Sequence, residues 1–211
     1  MTEDEKIDDT EESDGWTLIE KEFLRVYPGQ TDPKHYGTLI NWSLGGPDPL
    51  DGISIYDGGD YWHFVSFGMT ELYEKESEDK ETSGYGYELT FKLKKGFNDD
   101  EEAEIKNVCG LLQTIARLVF KDGEVFRPDE YIYTGQKSGI DARRISKLTG
   151  FITVKDPTVE TIETPNGKVE FLEFIGMTDA ELKTLSTLAT VRDIYKKLGS
   201  DITDYSRESI V

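Results

Sequence analysis

The sequence is poor in the residues that most protein chemistry uses. Its single cysteine, Cys109, excludes an internal disulfide, and its place in an apolar helical pattern marks a buried thiol. Only two histidines are present, and His35 and His63 stand in no metal-ligand spacing. Proline numbers seven, and no Ser/Gln-rich tract occurs, which excludes a mainly disordered chain. No run approaches the roughly 18 apolar residues of a membrane span. The opening MTEDEKIDDTEESD has neither the basic nor the apolar region of a secretory leader, so a cytoplasmic protein is expected. Cations are scarce too: 24 Lys and Arg face 43 Asp and Glu, a net charge of −19. That balance disfavours direct contact with nucleic acid phosphates and favours a basic partner.

What is present points to a folded core. Eleven Tyr, ten Phe and three Trp supply large apolar side chains. Residues 1–14 hold eight acids and one lysine and cannot bury apolar surface, so a disordered acidic tail is predicted there and a single domain over 15–211. Ile19, Phe23 and Val26 recur at helical spacing behind a Thr17/Glu20 capping box, and Pro28-Gly29 ends that run. Ile53 and Ile55 alternate with polar neighbours, and residues 61–67 are aromatic and β-branched, which predicts strands. Leu89, Phe91 and Leu93 share one face of a strand over 87–94, with Glu88, Thr90, Lys92 and Lys94 on the other.

The longest helix is predicted at 100–121, where Ile105, Val108, Leu112, Ile115 and Val119 form one stripe. Acids crowd its start, Arg117 and Lys121 its end, and Gly123 follows as a stop. A long connection at 123–148 holds Arg143-Arg144, and 151–154 reads as a strand. Runs at 159–164 and 168–175 flank Pro165-Asn166-Gly167, a hairpin in which Asn-Gly supplies positive φ angles. A Thr178/Glu181 capping box and a last helix over 187–198, stopped by Gly199, complete the pattern. Helices and strands do not alternate regularly, so the fold class is α+β, with a mainly antiparallel sheet packed against helices.

Catalytic constellations are absent from the sequence. His63 sits in an aromatic strand, where a hydrogen-bonded structural imidazole is the reading, and His35 precedes Tyr36 in a loop. Asp57-Gly58-Gly59-Asp60 is too short for a calcium loop and reads as a solvated turn. The glycines of 83–87 precede a strand, whereas phosphate loops follow one and open a helix. No catalytic residue, metal ligand or cofactor is therefore assigned. A carboxylate-dependent hydrolase stays as a minor alternative, because carboxylates cannot be paired from sequence alone.

Four phrases together carry a family resemblance. They are DPLDGISIY at 48–56, WHFVSFGMTELY at 62–73, SGYGYELTFKL at 83–93 and NGKVEFLEFIGMT at 166–178, followed by ITD at 202–204. In this order they resemble the suppressor of fused family, in its short bacterial form. The resemblance implies an α+β fold like the family's N-terminal domain and no enzymatic activity. Eukaryotic members hold an extended peptide of a zinc-finger transcription factor between two domains, of which this sequence corresponds to the first. Short bacterial members look like immunity proteins of toxin systems. The resemblance therefore implies an antitoxin-like protein that occludes a basic toxin domain such as a nuclease. A regulatory peptide-binding module that sequesters a cytosolic protein is the alternative. Tyr73 matches a family tyrosine of the peptide-contacting region, and Glu78 or Asp79 stands near the family's binding acid. The expected partner surface comprises Tyr73, Glu76, Glu78, Asp79, Glu81 and Tyr85, aromatic anchors beside steering charge.

Overall fold

The computed structural model describes residues 14–40, 42–185, 187 and 189–211. Of the tail predicted over 1–14, residues 1–13 lie outside them, and Asp14 is the cap of the first helix. Its carboxylate accepts the Thr17 amide at 2.8 Å and caps helix α1, Gly15–Val26. The helix thus starts two residues before the predicted Thr17 cap, and Glu20 instead accepts the Trp16 indole N–H at 2.9 Å. Aspartate is a strong helix cap, so Asp14 acts through this hydrogen bond and not only as tail charge.

Among the described residues eight strands form one sheet: β1 (Lys34–Gly37), β2 (Gly52–Asp57), β3 (Tyr61–Phe67), β4 (Thr82–Lys94), β5 (Tyr131–Ile132), β6 (Leu148–Lys155), β7 (Ile162–Thr164) and β8 (Gly167–Thr178). Their spatial order is β1-β2-β3-β4-β8-β6-β5, with β7 beside β8. All pairings are antiparallel except β4 with β8, so the sheet is mixed at its centre. In the β7–β8 turn Thr164 pairs with Gly167, so Pro165 and Asn166 are the connecting residues, and only Gly167 takes a positive φ, 109°, which differs from the Asn-Gly turn predicted.

Alternation along the strands gives each face its own partner layer. Leu89, Phe91 and Leu93 pack with Ile53, Ile55, Phe64 and Phe174 beneath α2 (Glu101–Arg117), whose Ile105, Val108, Leu112 and Ile115 are buried as the periodicity predicts. Asp100 caps α2, and its last turn widens into a π turn over Leu118–Asp122 that Gly123 ends at φ 74°. The other face meets α1 through Ile19, Phe23 and Tyr27. It meets α3 (Asp179–Leu185) and α4 (Val191–Leu198) through Ile152, Ile175 and Met177. The predicted capping box is present at α3, where the Thr178 amide donates to Glu181 at 2.8 Å and the Glu181 amide to Thr178 at 3.3 Å.

Because helices cover both faces, the polar side of β4 is not a solvent face. Glu88, Thr90 and Lys92 are all buried. The Lys92 ammonium sits 2.9 Å from Asp156, 3.0 Å from Glu173 and 2.7 Å from Asp201. Asp156 also accepts Thr90 Oγ1 and meets His63 Nε2, both at 2.8 Å, while His63 Nδ1 meets the Tyr27 hydroxyl at 2.7 Å. Both ring nitrogens of His63 are engaged inside the fold, the structural role its strand position predicts.

Candidate functional site

The loop after β3 is where the chain builds a concavity. Gly68 turns it at φ 125°, and the fully buried Glu88 carboxylate then gathers the amides of Gly68 at 3.1 Å and Thr70 at 3.0 Å. Ser66 and Thr70 hydroxyls donate to the same carboxylate at 2.5 and 2.6 Å. Burial pushes the Glu88 carboxyl up to about 7 despite those donors. Further along, the Gly15 amide donates to the Leu72 carbonyl at 2.7 Å, and a β carbon on Gly15 would stand 3.0 Å from that oxygen. The loop is therefore fastened to β4 from below and to α1 from the side.

Glu71 organises the next segment. Its carboxylate accepts Lys75 Nζ at 2.7 Å and the amides of Glu76 at 3.0 Å, Ser77 at 2.5 Å and Gly84 at 3.0 Å. Burial alone would raise this carboxyl, but the ammonium and the three amides outweigh it and hold the group at about 2. Lys75 continues to the carbonyls of Thr82 at 2.6 Å and Asn166 at 2.9 Å, which ties the loop to the β7–β8 turn.

The result is an open cleft of about 610 Å³ between this loop, the 42–51 segment and the π turn. Aromatic walls come from Trp42, Phe120 and Tyr85. Phe120 meets Trp42 edge-on at 5.9 Å and Tyr85 at 5.1 Å. Tyr73 stands at the mouth with 64 % of its surface exposed. Among the described residues the charged ones lining the cleft are acids, Asp51, Glu71, Glu74 and Glu76, while the Lys121 ammonium lies over the Trp42 ring, 5.4 Å from its centroid. Aromatic faces edged by carboxylates suit a cationic or amphipathic polypeptide segment.

Of the residues expected from sequence, the cleft brings together Tyr73, Glu76 and Tyr85. Glu78, Asp79 and Glu81 do not line it. Asp79 is turned inward on its own loop, where its carboxylate accepts the amides of Glu81 at 2.9 Å and Thr82 at 3.3 Å. The sequence reading missed Trp42, Glu71 and Phe120. Phe120 lies in the predicted helix 100–121 but outside its named stripe, and Glu71 lies in the family phrase at 62–73, where nothing singles it out from its neighbours.

A second cluster has the donor set of a cation site. Carboxylate oxygens of Asp156, Glu173 and Asp201 lie within 4.8 Å of one another, and the Lys92 ammonium fills the space among them.

The architecture is thus a three-layer α+β domain with an acidic, aromatic cleft at one end of its central strands. This chain belongs to the suppressor of fused family: the family described as Suppressor of fused protein (SUFU) matches residues 46–208. The human Suppressor of fused homolog is 32 % identical over 181 residues, which is 80 % of this chain and 36 % of the human protein's length. A chain in the Sufu–Fu complex crystal structure superposes with a TM-score of 0.79 at 29 % identity, covering 94 % of this chain and 93 % of that one. The putative SUFU homolog from Neisseria gonorrhoeae FA 1090 shares the fold, with a TM-score of 0.55 at 15 % identity over 92 % of this chain and 94 % of that one. No helix among the described residues is long and apolar enough to cross a membrane.

Proposed function

We propose that this domain is a non-enzymatic docking module that captures a basic, partly apolar segment of another protein in the cleft bounded by Tyr73, Glu76 and Tyr85. The observation that carries this reading is the pairing of exposed aromatic surface with an acidic lining in a loop fastened by the buried Glu88 network and the half-buried Glu71–Lys75 network. A preorganised loop loses little freedom on binding, so its contacts convert more fully into affinity. The chain's net charge of −19 steers a basic partner from a distance.

Two biological uses fit one surface. Occlusion of a basic toxin domain such as a nuclease is favoured by the strong acidity of the chain. Sequestration of a regulatory protein is favoured by the likeness to the chain in the Sufu–Fu complex, whose domain is nearly the same length. A photo-crosslinking amino acid placed at Tyr73 and, separately, at Glu78 tests the shared surface. Adducts from position 73 and not from 78 support the cleft; adducts from neither, with a partner still bound, remove it. Co-expression with a toxin encoded nearby separates the uses: growth restored by the wild type and lost with Tyr73→Ala plus Tyr85→Ala marks an immunity role.

A further inference from the structure

One segment runs against the acidic character of the chain. Residues 137–147 carry Lys137, Arg143, Arg144 and Lys147 and a single acid, Asp141. Two buried carboxylates hold this loop from inside. Asp141 accepts the amides of Ile145 at 3.0 Å and Ser146 at 2.7 Å, and Glu104 reaches from α2 to accept the Ala142 amide at 3.0 Å.

The construction presents a basic, partly apolar tip. Arg143, Arg144 and Ile145 face solvent, Ile145 with 66 % of its surface exposed, and Arg144 stands at φ 59°, a left-handed conformation uncommon for arginine. Neither arginine side chain makes a hydrogen bond or ion pair among the described residues, although the buried Glu104 lies within the field of Arg143. The cleft offers the opposite chemistry. Its Asp51, Glu74 and Glu76 carboxylates accept no hydrogen bond and form no ion pair among the described residues, and Tyr73 is exposed beside them. Tip and cleft stand at opposite ends of α2. Glu104, which holds the tip, and Phe120, which walls the cleft, are roughly 24 Å apart along the helix at about 1.5 Å per residue. Pinned by its own amides, the tip does not turn back into the cleft of the same copy.

We propose that the 142–145 tip of one copy of this chain seats in the acidic, aromatic cleft of a second copy, a head-to-tail contact that occupies the cleft until a partner displaces it. The inference rests on the cleft reading given above and names a second copy as one of its occupants. The Arg143 and Arg144 guanidinium forks meet the carboxylates of Asp51, Glu74 and Glu76, and Ile145 packs on Tyr73 and Tyr85. Because the two patches differ, the contact is heterologous, each end of an assembly keeps one patch free, and growth continues past the dimer. A net charge of −19 opposes contact between copies, so the association is weak and forms where salt screens the distant charges.

Sedimentation equilibrium of the full chain from about 10 µM to about 1 mM, in roughly 0.15 M salt, reads the assembly. The average mass of the wild type rises with concentration past that of a dimer. Arg143→Gln with Arg144→Asn stays monomeric and keeps the unfolding midpoint, asparagine being tolerated at positive φ. Tyr73→Ala with Tyr85→Ala in the cleft stays monomeric too, and Ile145→Ser or Glu74→Gln with Glu76→Gln weakens assembly about tenfold. An equimolar mixture of the arginine variant and the tyrosine variant forms dimers and nothing larger, because one complete pair of patches remains. A wild type that is monomeric throughout overturns the proposal, as does an arginine variant that assembles like the wild type or a mixture that grows past dimers. A fluorescent peptide of about 10 residues alternating Arg and Leu then separates the two readings. Binding to a monomeric wild type, lost in the tyrosine variant, keeps the cleft and removes the tip as its occupant; no binding removes both.

Discussion

The two faces of the central sheet are buried to similar depth by different means. Under α2 the contact with the sheet is made by apolar side chains, Leu112, Val108 and Ile115 against Leu89, Phe91 and Phe174. On the opposite face, between the apolar patches of α1 and of α3 and α4, the Lys92 ammonium and its three carboxylates occupy the interior. Apolar packing tolerates exchange of side chains of similar volume. A buried charge tolerates almost nothing, because each member is costly without its partners. The first face supplies stability, and the second makes one arrangement of β4, β6, β8 and the segment after α4 acceptable.

The largest expected effect breaks the charged face. Lys92→Met leaves Asp156, Glu173 and Asp201 without their cation and destabilises the domain by about 3–5 kcal/mol, measured by chemical denaturation. Leu112→Ala on the apolar face costs about 3 kcal/mol through lost burial and a residual cavity, and should leave the unfolding transition cooperative. Glu88→Gln places an amide group against donors of the 66–70 segment and costs about 1–3 kcal/mol. It also loosens the cleft loop, which faster amide exchange at Gly68 and Thr70 would report.

The smallest effect is electrostatic and lies at the cleft itself. Glu71 is depressed from its ordinary 4.5 to about 2, so its stabilising contribution is complete above pH 4.5. As pH falls from about 4.5 towards 2 the carboxylate is protonated and the contribution is lost. Trp42 fluorescence and amide exchange at Glu76, Ser77 and Gly84 should change in that window, and Glu71→Gln should show the loosened state already at neutral pH.

How much of this was legible in the sequence depended on the range of the determining contacts. Helix α2 was legible because its stripe, its acidic start and Gly123 agree within one segment. The apolar face of β4 was legible by alternation, but the burial of Glu88 and Lys92 was not. A lysine in an alternating strand reads as solvent-facing unless its counter-charges are known, and those of Lys92 lie 64, 81 and 109 residues further on. The cleft shows the same division. Tyr73, Glu76 and Tyr85 belong to one stretch that the family resemblance picks out, whereas Trp42 and Phe120 arrive from other parts of the chain. Asp79 misled because a carboxylate two and three residues before unpaired amides satisfies its own turn before it meets a partner.

The separation of Lys92 from its carboxylates also has a consequence in time. During synthesis at about 5–20 residues per second, β2, β3 and β4 can pair as hairpins early, but Lys92 then waits about 5–20 seconds for Asp201. Until then no closed interior is available to its ammonium, and a central strand of the sheet has an open edge. Refolding from denaturant should therefore be limited by docking of the 148–203 segment onto β4.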